Sequence, residues 1–235
     1  MMWRCFGILL VLSMVFSPVT AVRADELSQG LQAYAERDYA RAWQILKSLA
    51  EQGVAEAQRK LGVMYRHGLG VEKNDALAIS WYRRAAEQGH VQAQNSLGVM
   101  YRFGMGVAKN PKEGAYWLER AAQQGFAKSQ ENLGLMYLQG EGLEPNDRLA
   151  MQWLERAALQ GQGKSQLMLG LALLAGKGVT RDEAKGMQWI RRAAEQGVQR
   201  AQIALAQAYA EGLYGLPRDA AQAKWWYERA GQPVQ

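Results

Sequence analysis

Apolar residues along this chain recur at helical spacing, and the pattern itself recurs. Ala57, Leu61, Gly62 and Tyr65 share one face of a 3.6-residue period, which predicts a helix A over roughly Val54–Arg66. Gly68 and Gly70 interrupt it with the tight reversal that glycine permits. Ala78, Trp81, Ala85 and Ala86 then mark the apolar face of a helix B over roughly Asp75–Glu87. The block returns every 36 residues: LGVMYRHGLGV at Leu61–Val71, LGVMYRFGMGV at Leu97–Val107 and LGLMYLQGEGL at Leu133–Leu143. Gly62, Gly98, Gly134 and Gly170 keep one phase, Trp81, Trp117, Trp153 and Trp189 a second, and Gly89, Gly125, Gly161 and Gly197 a third. A fifth copy starts near Gln199, with Ala206 in place of the first glycine. It has one extra turn residue within Gly212–Gly215, so its aligned tryptophan is Trp226. A fixed period of this size means helix pairs stacked end to end, each too small to bury its own apolar face.

Punctuation agrees with that division. Asn74, Asn110, Asn146, Asp182 and Asp219 stand one residue before each helix B and can cap its free N–H groups. Pro111 follows Asn110 at a first helical position, where proline is tolerated. Alanine and glycine at 57, 62, 78, 85 and 86 allow close helix approach, with Trp81 and Tyr65 expected to fill the space between adjoining pairs. At this spacing the tryptophans read as core, not as a ligand-stacking ladder. Upstream, Leu27–Gly53 reads as a diverged opening pair in which Ile45 replaces the tryptophan.

These motifs resemble the Sel1-like repeat family, a relative of the tetratricopeptide repeat. Copy two carries the pattern as Ala93, Leu97-Gly98, Tyr101, Gly104-Met105-Gly106, Trp117, Ala121-Ala122 and Gly125. The likeness covers about Val54–Gln232 in five copies, with departures at Leu173, Ala206 and Tyr214. It implies an all-α fold, a right-handed α-solenoid of stacked antiparallel helix pairs, whose helix A residues line a concave surface used for protein–protein recognition. Cysteine-rich exported members have been linked to β-lactam chemistry, but the cysteines that define that branch are absent here.

The first residues change the picture of where the chain works. Met1–Arg4 carries one positive charge, Cys5–Phe16 is almost wholly apolar, and Val22-Arg23-Ala24 offers a signal-peptidase site, with Val19-Thr20-Ala21 as a rival. The apolar run is about a dozen residues, short of the roughly 20 of a membrane span. Residues 1–24 are therefore expected to be a cleaved signal peptide, the other reading being an uncleaved anchor. Removing Arg4 and Arg23 leaves 26 basic against 22 acidic residues, a mild excess spread along the chain that does not argue for nucleic acid. Cys5 is the sole cysteine and would leave with the signal, and it lies too early to be a lipoprotein acceptor.

Chemistry is sparse. His67 and His90 lack partners at catalytic or metal spacing and read as solvated helix-terminal residues. No Ser-His-Asp order or HExxH motif occurs, and the glycine pairs follow helices, so they are turns and not phosphate cradles. No catalytic residue, cofactor or metal is expected. Arg84, Arg120, Arg156, Arg192 and Arg229 share one phase and are expected to make inter-repeat salt bridges or carbonyl contacts.

The residues that vary on the constant frame are the candidates for recognition. On the expected concave face these include Arg59, Arg66, Arg102 and Phe103, then Leu135 and Leu138, then Leu167, Leu171 and Leu174, so the groove passes from polar and basic to apolar. The leucines could equally pack against neighbouring helices. Arg66 and Arg102, one repeat apart, are expected to form a positive site for an acidic segment of a partner. At the C-terminus, Trp225, Trp226 and Tyr227 are consecutive. Since each step turns a side chain by about 100°, either Trp225 or Tyr227 should stay partly exposed and offer a contact to a partner or a second copy. The expectation is a periplasmic scaffold or adaptor in a Gram-negative envelope, or a secreted one. It would be non-enzymatic and bind a protein partner. A structural or polysaccharide-associated envelope scaffold, or a host-contact factor, is the alternative.

Overall fold

The computed structural model describes residues 18–231; most of the expected signal peptide and the last four residues lie outside that span. Twelve α-helices occur among the described residues, and no strand. They run α1 Pro18–Ala35, α2 Tyr39–Glu51, α3 Ala55–His67, α4 Asp75–Glu87, α5 Val91–Phe103, α6 Pro111–Gln123, α7 Ala127–Gln139, α8 Asp147–Leu159, α9 Gly163–Ala175, α10 Glu183–Glu195, α11 Gln199–Glu211 and α12 Ala220–Arg229. Each packs on the helix before it and the helix after it, giving an all-α solenoid of helix pairs. The odd-numbered helices are the A helices of the pattern and the even-numbered ones the B helices.

Both ends of the pairs follow the local chemistry. Asn74, Asn110, Asn146, Asp182 and Asp219 each accept a hydrogen bond from the backbone N–H three residues on, at 2.9–3.1 Å. Asp38 does the same for α2 at 3.2 Å. The turn after α7 shows why its second glycine is required. Gly142 has φ +74°, and a Cβ there would lie 2.4 Å from the carbonyl carbon of Pro111, at the start of the preceding repeat's B helix. Sterics and backbone conformation both reserve the position for glycine.

Inside each pair the small residues do bring the helices together, as Gly134 illustrates. A Cβ there would sit 2.7 Å from Cγ of Leu154 and 3.0 Å from the carbonyl oxygen of Ala150. The deep position on each B helix is the residue after the tryptophan: Tyr82, Leu118, Leu154 and Ile190 are all buried. This revises the expectation that every tryptophan is core. Trp117 and Trp226 are buried, but Trp81, Trp153 and Trp189 are only half-buried. One step along a helix turns a side chain by about 100°, so the deep residue faces its own pair while the tryptophan lies over the junction with the preceding repeat. Trp117, for example, packs with Ala78, Ile79 and Tyr82 of α4 and with Leu97 and Tyr101 of α5.

Candidate functional site

The odd-helix face is not uniform, and its N-terminal part is already satisfied from within. The Arg59 guanidinium donates to both oxygens of Glu56, at 2.8 Å from Nε and 2.5 Å from Nη2. Nε2 of His90, one repeat on, lies 2.8 Å from the same carboxylate. Burial works to raise the Glu56 pKa, but the hydrogen bonds and charges of Arg59 and His90 outweigh it and hold the carboxyl down at about 2. His90 is thus not a solvated terminal residue. It is the N-cap of α5, its Nδ1 accepting from the Ala93 N–H at 3.4 Å while Nε2 reaches Glu56. Among the A helices from α3 onward, this is the one with a side-chain cap bond.

Arg102 corrects a second expectation. The residue is 5% exposed, and its guanidinium is held by Glu141 at 2.8 Å, Asn132 at 3.2 Å and Gln139 at 3.2 Å, all from the next repeat. Arg66 reaches Sδ of Met105 at 3.8 Å. The two arginines do not combine into a free positive site, since Arg102 is occupied in joining two repeats. Beside it Phe103 is 55% exposed.

Toward the C-terminus the face turns apolar and open. Leu135 and Leu167 are buried, Leu138 and Leu174 half-buried, and Leu171 is 41% exposed. The alternatives for the leucines therefore divide by position: 135 and 167 pack inward, while 171 stands in the face. Two hollows flank Leu171. One, of about 260 Å³, is lined by Leu167, Leu171, Arg200, Ile203, Ala204 and Gln207. The other, of about 130 Å³, includes Leu171, Leu174, Ala204, Gln207, Leu213 and Tyr214. Side-chain size accounts for part of the space: Ala204, which lines both hollows, stands where copy four has Met168. At the end of the array Trp225 is 44% exposed, its ring 4.5 Å from that of the buried Trp226, while Tyr227 is half-buried against the last core cluster.

One periodic feature escaped the reading of the sequence, and a second was seen but takes a different role. Gln58, Gln94, Gln130, Gln166 and Gln202 are buried, and each donates through Nε2 to the carbonyl of the last alanine in the preceding B helix at 3.0–3.1 Å. Gln88, Gln124, Gln160 and Gln196 donate in turn to the Oε1 of the first four at 2.7–3.0 Å. The result is an amide seam along the array that satisfies helix-end carbonyls. Its signal was present as Ala-Gln or Ser-Gln at 36-residue intervals. The second feature concerns the recurring arginines. Arg84, Arg156 and Arg192 lie over the rings of Trp81, Trp153 and Trp189 at 4.6–4.7 Å, three residues back along their own helix, and Arg229 lies 4.7 Å from Trp225. These are cation–π stacks and not the expected inter-repeat salt bridges or carbonyl contacts, because a helix places residues three or four apart on one face.

Among the described residues no group of three or more His, Cys, Asp or Glu could hold a metal ion, and no helix is long and apolar enough to cross a membrane. The repeat geometry has known relatives. The Sel1 repeat profile matches residues 24–54, 55–90, 91–126, 127–162, 163–198 and 199–232, taking the opening pair as a sixth copy. A Sel1 repeat protein from Oxalobacter formigenes is 37% identical and superposes with TM-score 0.82 over 88% of this chain and 82% of its own. A protective antigen of uropathogenic Escherichia coli strains with the SLR fold is 31% identical at TM-score 0.71. That match covers 91% of this chain but 54% of the antigen, so the chain spans about half its length. The Pseudomonas aeruginosa pilF structure, 19% identical with TM-score 0.61 over 89% of this chain and 91% of its own, shares the fold. No curated protein matches. With six profile matches tiling the described helices end to end, the chain belongs to the Sel1 repeat family.

Proposed function

We propose that this protein is an exported, non-enzymatic scaffold that binds a protein partner on the face of its odd-numbered helices. Sel1 repeats are generally protein–protein interaction modules, and the fold is typically a non-catalytic scaffold. The observation that carries the reading is the contrast between phases. The recurring small and glutamine positions are buried, whereas the varying positions of the odd helices leave Phe103 and Leu171 open to solvent, Leu171 between two unfilled hollows. A preformed surface of this kind binds without first having to be ordered. Export, with the periplasm as destination, rests on the charged, apolar and small-residue succession of residues 1–24. The polysaccharide reading draws on the half-exposed tryptophans of the even helices. Stacked arginines cover a face of Trp81, Trp153, Trp189 and Trp225, which leaves less open ring for a sugar.

The test joins cell fractionation to capture from an envelope extract, with Phe103→Ser/Leu171→Ser as the control bait. The reading expects periplasmic protein and a partner held by the parent and lost from the control. Cytoplasmic protein removes the export half, and equal capture by both baits removes the odd-helix face.

A further inference from the structure

One register position changes sign along the array. At the first turn of successive A helices stand Glu56, Gln92, Lys128, Lys164 and Arg200. Glu56 is held by Arg59 and His90. Lys128, Lys164 and Arg200 are exposed, and none of them forms an ion pair among the described residues. Each sits at a helix N-terminus, so its charge adds to the positive end of the helix dipole. Arg200 lines the larger hollow directly, and Lys164 stands one helical turn before Leu167, which lines the same hollow.

The two hollows share Leu171, Ala204 and Gln207 and so lie side by side, with Leu171 between them, in a channel between α9 and α11. Its far end is closed by Leu213 and Tyr214, in the turn that carries the extra residue; Tyr214 holds φ +54°, unusual for a side chain other than glycine. From Arg200 to Gln207 the helix rises by roughly 10 Å at about 1.5 Å per residue. An extended chain covers that distance in about three residues at roughly 3.3 Å each. Hollows of about 260 and 130 Å³ take single side chains of an extended segment, and neither has room for a helix about 10 Å across.

We infer that the channel between α9 and α11 takes an extended protein segment bearing an acidic side chain beside Arg200 and Lys164 and, about three residues along, an apolar side chain seated against Leu171 and Tyr214. This rests on the proposed role as a protein-binding scaffold and names the chemistry of its partner.

The test is a randomised synthetic peptide array probed with the full chain, followed by fluorescence anisotropy on the best peptide, labelled with fluorescein. The variants are Lys164→Glu/Arg200→Glu and Leu171→Asp, both at exposed positions, with melting temperature as the check on folding. The parent is expected to select Asp or Glu with Leu, Ile or Phe three residues away, and to bind more weakly as salt rises. The charge-reversed variant should bind that peptide at least tenfold more weakly and select Lys or Arg in place of the acid, keeping the apolar anchor. Leu171→Asp should lose both. Peptides that bind all three proteins alike overturn the channel while leaving protein binding by another face intact, and an array on which the parent selects nothing overturns both. Two controls offer other occupants: phosphatidylglycerol–phosphatidylethanolamine vesicles, and self-association by analytical ultracentrifugation. A lipid or second-copy signal that Leu171→Asp abolishes gives the channel to that occupant and overturns the peptide.

Discussion

Replacing Gly134 by alanine tests whether close helix contact holds each pair together, because two effects of opposite sign meet there. In a helix interior the change alone stabilises by about 1 kcal/mol, since alanine loses less backbone freedom on folding. In this pair the new methyl carbon would lie 2.7 Å from Cγ of Leu154 and 3.0 Å from the Ala150 oxygen. Leu154 is wholly buried and Ala150 belongs to the same B helix, so neither yields without moving α8. Forcing a methylene into a filled core costs about 1–3 kcal/mol. The net expectation is destabilisation by about 1 kcal/mol. Urea unfolding followed by circular dichroism reads it as a lower midpoint at unchanged slope. Ala206, buried at the aligned position of copy five, gives the companion change. Ala206→Gly should also destabilise, by loss of helix propensity and of a buried methyl. A Gly134→Ala protein more stable than the parent would refute the reasoning, since it would mean that the glycine merely marks a loose helix.

Further outcomes follow from the odd-helix face and the chain end. Arg102→Glu should lower stability by about 3 kcal/mol, measured by thermal unfolding, because it places two carboxylates together where a buried ion pair stood; unchanged stability would return Arg102 to the binding face. Glu56 has a folded pKa of about 2 against an ordinary value near 4.3, so its contribution is present above about pH 4.5 and fades as pH falls toward 2. Screening of a partly exposed pair reduces that contribution to about 1 kcal/mol. Glu56→Gln should therefore flatten the acid limb of a stability–pH profile, and a superimposable profile would contradict the Arg59–Glu56–His90 linkage. Trp225→Ser should reduce any self-association or partner affinity seen by sedimentation velocity, and identical behaviour would make that end a plain terminus.

The fold was legible because it is written six times. A side chain such as Trp117 is ambiguous alone, but glycine, tryptophan and a capping Asn or Asp in one phase over several copies leave few architectures. The depth of each aromatic was not legible: Trp81 and Tyr82 are adjacent and both apolar, and only the path of the neighbouring helix decides which one is enclosed. The same limit hid the roles of Arg102 and His90. Their partners lie 39 and 34 residues away, at Glu141 and Glu56, and a pairing across repeats leaves no local spacing to read. The glutamine seam was visible as a periodicity but not as chemistry, since glutamine is usually a surface residue. Of the candidate face, Phe103 and Leu171 stand open as their A-helix positions suggest, but Arg102, Leu135 and Leu167 are buried, because neighbouring repeats and not helical position alone decide exposure. The charge balance of the face was not legible, because free and ion-paired arginines look alike in sequence.

The central claim, that partners bind the odd-numbered helices near the C-terminal end, is tested most directly by hydrogen–deuterium exchange of the full chain with and without its captured partner. The account predicts slowed exchange in α9, α11 and the Gly212–Gly215 turn, with α4, α6 and α8 unchanged. Protection confined to the even-numbered helices would contradict it.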